Sequence, residues 1–106
     1  MADHSPSKDG HSALLDALRH PLRRDILRAM RRSGQKVSPR QIAETLGEPL
    51  SDVGYHCRAL KSCGAIQLVG QEQVRGAIQN FYRVTVHESW ALTLLDEDED
   101  EDERGT

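Results

Sequence analysis

Residues 39–60 constrain the fold of this chain more than any other segment. Ala43, Gly47 and Val53 stand there at relative offsets 0, +4 and +10. A small residue at Ala43 lets a second helix come close, Gly47 permits a sharp turn, and Val53 anchors the second helix on the first. The local signals agree with this spacing. Ser38-Pro39 offers a cap followed by a first-turn proline, Ile42, Ala43 and Leu46 form one apolar face, and Gly47 closes the helix. Ser51 is expected to cap the next helix, over 51–62, with Gly64 just past its end. Two short helices joined by a tight turn, a helix-turn-helix, satisfy all of these demands.

The flanks extend the pattern. Leu14, Leu15, Leu18, Leu22, Ile26 and Met30 recur at spacings of three and four, one helical stripe. Pro21 falls inside it and divides helices predicted near 11–19 and 21–33, the second stopped at Gly34. Residues 66–69 and 78–84 read as strands, and the polar stretch between them, with Gly70 and Gly76, reads as a hairpin loop. A closing helix is expected over 86–95. The order is α-α-α-α-β-β-α, a mainly α fold with a β-hairpin wing over 70–77: a winged helix-turn-helix.

Charge divides the chain differently. Residues 96–103 are eight consecutive carboxylates; without 96–106 the balance is 13 Lys and Arg against 9 Asp and Glu, or +4. We expect a disordered leader over 1–10, a folded basic domain over 11–95 and a disordered acidic tail over 96–106. The tail solubilises the protein, competes with a polyanion for the basic surface, or recruits a basic partner. No run nears the ~18 apolar residues of a membrane span. Two cysteines do not make a disulfide framework, which suits a reducing cytoplasm.

A helical wheel on 51–62, at ~100° per residue, separates two faces. Val53, Cys57 and Leu60 cluster on one side with His56 at the edge, while Ser51, Tyr55, Arg58 and Ser62 lie opposite, flanked by Gly54 and Ala59. The second face suits a helix in the DNA major groove, where Arg58 forks onto guanine O6 and N7. It equally describes an amphipathic helix with a solvated side. Arg75 at the hairpin reaches a minor groove or phosphate, or is a solvated turn cation. Arg40 and Gln41, in a first turn with free N–H groups, are positioned for phosphate. The run Arg19, Arg23, Arg24, Arg28, Arg31 and Arg32 reads as a solvated helix face.

The strings ALRHPLRRDILRAM (17–30), SPRQIAETLGEPLSDVGYHCRALKSCGAI (38–66) and VRGAIQNFYRV (74–84) resemble the ArsR-type winged helix-turn-helix regulators of bacteria. The resemblance covers residues 13–86. It implies a homodimer with two recognition helices in successive major grooves, a wing over the flanking backbone, and repression relieved by a signal not legible here. The family usually carries Ser where this chain has Gly54 and Leu where it has Cys57. The expected DNA-binding residues are Arg40, Gln41, Ser51, Gly54, Tyr55, His56, Arg58 and Arg75. Leu14, Leu15 and Leu18, with Trp90, Leu94 and Leu95, are expected either to form a two-fold interface or to finish the monomer core.

The Cys-x-Cys motif of metal-sensing relatives is missing from 38–47, and His87 and Glu88 are all that remains of an acidic, histidine-rich closing helix. Cys57 and Cys63, six apart on a helix, are separated by ~9 Å and ~120° and cannot share one ion. His56 packs in the core margin or touches DNA. No nucleophile triad or Gly-rich phosphate loop is present, so neither an enzyme nor a bound cofactor is expected. Two competing readings are a winged-helix protein-interaction module without specific DNA binding, and a thiol-based redox sensor within the regulator class.

Overall fold

The computed structural model describes residues 13–86 and 90–95. The expected leader, the acidic run 96–103 and His87 with Glu88 lie outside the described residues.

Pro21 sets the entry to the fold. Helix α1 covers 13–17 and tightens at its end, where Arg19 N–H reaches Asp16 O (3.1 Å) and His20 N–H reaches Ala17 O (3.3 Å). His20 is extended, as a residue before proline must be, and Pro21 opens α2 (Pro21–Ser33). Gly34, at φ 67°, ends α2 in the left-handed conformation that glycine adopts without strain.

Helix α3 (Pro39–Leu46) begins in a reciprocal cap. Ser38 Oγ accepts from Gln41 N–H at 3.2 Å, and Gln41 Oε1 accepts from Ser38 N–H at 2.9 Å. Gly47, at φ 69°, then turns the chain toward α4 (Leu50–Ser62). Ser51 does not cap α4. The helix starts one residue earlier, with Pro49 at the cap position and its carbonyl taking the N–H groups of Asp52 and Val53, both at 3.1 Å.

The wing is longer than the sequence suggested. Strands β1 (Ile66–Val74) and β2 (Ala77–Val84) pair antiparallel, leaving only Arg75 and Gly76 as the turn. Both have positive φ, 53° and 83°, which matches a two-residue hairpin turn. Residues expected to loop over 70–77 are therefore mostly paired. They look like loop in sequence because a projecting ribbon wets both faces, so its polarity carries no period. Gln71 Nε2 donates to Asn80 Oδ1 across the ribbon at 2.8 Å. A bulge at Val69 separates this tip from the packed base, where Thr85 Oγ1 donates to Gly64 O at 2.8 Å.

Val37, between α2 and α3, adds an isolated bridge to Tyr82 through two hydrogen bonds of 2.8 and 2.9 Å. The last described helix, α5, covers 90–95; Val86, expected to open it, is buried but not helical. Ile26, Leu27, Val53 and Leu60 make the centre of the core, and Leu14, Leu18 and Leu95 close it from the first and last helices. Those three leucines, expected at a dimer interface, are at most 4% exposed within the single chain. Their area is already spent in the monomer.

Candidate nucleic-acid interface

Helix α4 has the two faces the wheel required. Val53, Cys57 and Leu60 are buried, whereas Ser51, Tyr55 and Arg58 are exposed. The outer face is one wall of an open groove of about 820 Å³; the start of α3 and the tip of the wing supply the others. Arg40 enters from α3, Ser51, Gly54 and Arg58 from α4, and Arg75 from the turn of the wing. Three cations from three elements thus meet over one concavity. Glu44 also lines it.

Gly54 shapes the groove. A methyl group placed on it would stand 3.6 Å from Nη1 of Arg58. The guanidinium therefore lies back over the helix toward its N-terminus, the direction in which helical side chains lean.

Three expected contacts have other positions. Gln41 spends its backbone N–H and side-chain oxygen on the cap of α3 and lines a separate depression with Arg28 and Ile42. The free first-turn N–H expected at Gln41 is thus occupied. His56 is half-buried, and its Nδ1 accepts from Arg23 Nε at 3.0 Å, which ties α4 to α2. Burial holds its pKa below the ordinary 6.5, helped by the charges of Arg23 and His20 and opposed by Asp52. Tyr55 lies edge-on to His56, ring centres 5.2 Å apart, and is exposed outside the groove's lining.

The arginine run is corrected in part: Arg19, Arg31 and Arg32 are exposed as expected, whereas Arg23, Arg24 and Arg28 are not. Arg28 is buried and bonds Asp25 at 2.6 Å, Arg24 donates to Leu18 O at 2.6 Å, and Arg23 holds His56. Arg23 and Arg24 thus fasten α2 to α4 and to the turn that precedes α2, while the Arg28 pair lies within α2 itself.

Sequence reasoning missed the groove's apolar members. Leu50 is 43% exposed and Ile78 67%, and both line it beside Val74 and Ala77. Leu50 stands seven residues before Cys57, a spacing that by itself assigns it to the core. It is exposed because the first residue of α4 has no preceding turn packed around it.

The thiols are quiet. Burial pushes Cys57 up to about 11 despite the neighbouring charge of Arg58, and burial also raises Cys63, whose Sγ donates to Leu60 O at 3.4 Å. Protonated thiols are poor nucleophiles and poor metal ligands. Among the described residues, no group of three or more His, Cys, Asp or Glu is placed to hold a metal ion. None of the described helices is long and apolar enough to cross a membrane.

This arrangement, a turn-linked helix pair with an exposed polar face and a two-stranded wing beside it, defines a winged helix-turn-helix domain. Residues 18–69, just under half of the chain, match the family model described as a helix-turn-helix domain. No curated protein sequence matches the chain. Among solved structures, the homodimeric winged helix-turn-helix DNA-binding domain of a possible ArsR-family regulator from Mycobacterium bovis is similar. It has 21% identity and a TM-score of 0.64, over 93% of this chain and 87% of that one. An antimony-specific transcriptional repressor, AntR, has 16% identity and a TM-score of 0.65, over 99% and 88%. NolR from Sinorhizobium fredii has 19% identity and a TM-score of 0.57, over 92% of each chain. The chain has the winged helix-turn-helix fold that its sequence motifs implied.

Proposed function

We propose that this chain is a cytoplasmic, sequence-specific regulator of transcription, a repressor, that binds double-stranded DNA as a homodimer. The outer face of α4 enters the major groove, and the wing tip follows the flanking backbone. One observation carries this reading: Arg40, Arg58 and Arg75 converge on a single groove from α3, α4 and the wing. Phosphate contacts from Arg40 and Arg75 would fix register, leaving Arg58 to read a base edge.

Dimerisation is supported by the homodimeric state of the Mycobacterium bovis domain and by the apolar surface remaining here. Leu15 is 41% exposed, and Trp90 and Leu94 are half-buried against the core. These three, rather than Leu14, Leu18 and Leu95, are the residues we assign to the two-fold contact. A monomer at high micromolar concentration in sedimentation would refute it.

The test of DNA binding is selection from random duplex with the purified full chain, followed by a salt titration. A dimer offering about four cations to phosphate loses on the order of 10² in affinity between roughly 50 and 200 mM salt. Little duplex binding at any salt would favour a protein-interaction module instead.

A further inference from the structure

The groove holds an apolar group that phosphate neutralisation does not explain. Five large hydrophobic side chains are exposed among the described residues, and two of them, Leu50 and Ile78, line this same groove. Isolated exposed leucines are ordinary, but an apolar pair ringed by Arg40, Arg58 and Arg75 is a composition suited to one particular surface. Duplex DNA presents that mixture in its major groove. Phosphates lie at the rim, guanine acceptors on the floor, and the only large apolar projection is the C5-methyl of thymine.

We infer that Leu50 reads a thymine methyl, next to the guanine read by Arg58. The inference rests on the DNA-binding reading above and names what that site selects. Leu50 is the first residue of α4, and the N-terminal residues of a recognition helix are those that reach base edges. Its Cα lies ~12 Å along the helix axis from that of Arg58. The guanidinium, however, leans back over Gly54, 3.6 Å from where a methyl there would stand. That brings the two reading groups to within about one helical turn, ~6 Å, or about two base-pair steps of ~3.4 Å. The site therefore selects thymine and guanine within about two base pairs of each other. Ile78 faces the same space from the wing and helps keep water from the methyl.

Uracil is thymine without its methyl, so the experiment needs no variant to begin. The tightest duplex from selection is remade with deoxyuridine replacing each thymine in turn. Losing the contact with one buried methyl should weaken binding about threefold to fivefold per half-site at a single position. Substitution elsewhere should leave affinity unchanged. Leu50→Ala, at an exposed position outside the core, should bind the thymine and uracil duplexes equally while keeping its dependence on Arg58. Tight, Arg58-dependent binding that ignores uracil at every position would overturn the inference and leave the DNA-binding reading standing. Uracil sensitivity that persists in Leu50→Ala and vanishes in Ile78→Ala would also overturn it, moving the contact to the wing. Failure to select any duplex would overturn both readings and mark the apolar pair as a protein contact.

Discussion

Helix α4 is two surfaces on one backbone. Its inner side, Val53, Cys57 and Leu60, is at most 1% exposed and joins α4 to the rest of the core. The outer side, Ser51, Gly54 and Arg58, gives nothing to that core and borders an open groove with the wing. Apolar packing requires a fixed position, and that position is what aims the outer residues. On the DNA-binding reading proposed above, stability and recognition are therefore separable by substitution, although one helix carries both.

The largest effect should come from the inner face. Leu60→Ala removes a fully buried side chain, and denaturant unfolding should show a loss of about 2–5 kcal/mol. Its folded fraction should still bind the selected duplex normally; weaker binding per folded molecule would mean the faces are coupled. Arg58→Ala is the converse. It should cost about 1–3 kcal/mol of specific binding with the unfolding midpoint unchanged. A shifted midpoint would place Arg58 in the packing and break the comparison.

Smaller effects sharpen it. Ser38→Ala dismantles the cap of α3, on which α4 is packed, and should destabilise by ~1 kcal/mol. Gly54→Ala sits between the faces. A methyl there meets Arg58 Nη1 at an ordinary contact distance, so the helix should gain up to ~1 kcal/mol and affinity should change less than in Arg58→Ala. A lower melting temperature would show that the space is tighter than 3.6 Å implies.

The smallest effect is on acid stability. His56 has its folded pKa lowered by burial, so well above pH 6.5 it is neutral in both states and has no influence. As pH falls below 6.5 the unfolded chain takes up the proton more readily, and the native state loses stability until pH passes the lowered value. His56→Gln, which keeps an acceptor for Arg23, should flatten this part of the stability profile. An unchanged slope just below pH 6.5 would assign it to other groups.

The helical half of the fold was legible in sequence because its signals are local. Pro21, the Ser38 cap and the glycines at 34 and 47 act through backbone geometry within a turn, and each boundary they mark is observed. The wing was less legible. A two-stranded ribbon without a buried face has no apolar alternation to read, so residues 70–74 passed for loop. Of the expected DNA contacts, Arg40, Ser51, Gly54, Arg58 and Arg75 meet in one groove, while Gln41, Tyr55 and His56 do not. Gln41 and His56 differ because their hydrogen-bonding atoms found partners, and partner choice is decided by neighbours in space.

The sequence by itself determined the element order, the turn between α3 and α4, and which side of α4 faces inward. Helical period, proline and glycine require nothing beyond their own few residues to act. Tertiary structure alone decided the use of the apolar groups. Leu14, Leu18 and Leu95 closed the monomer core, while Leu50, in register with that core by spacing, was left in the groove beside Arg58. Periodicity says which way a side chain turns about its helix. Whether another element arrives to cover it depends on where that helix ends relative to its neighbours, and only the packed chain fixes that.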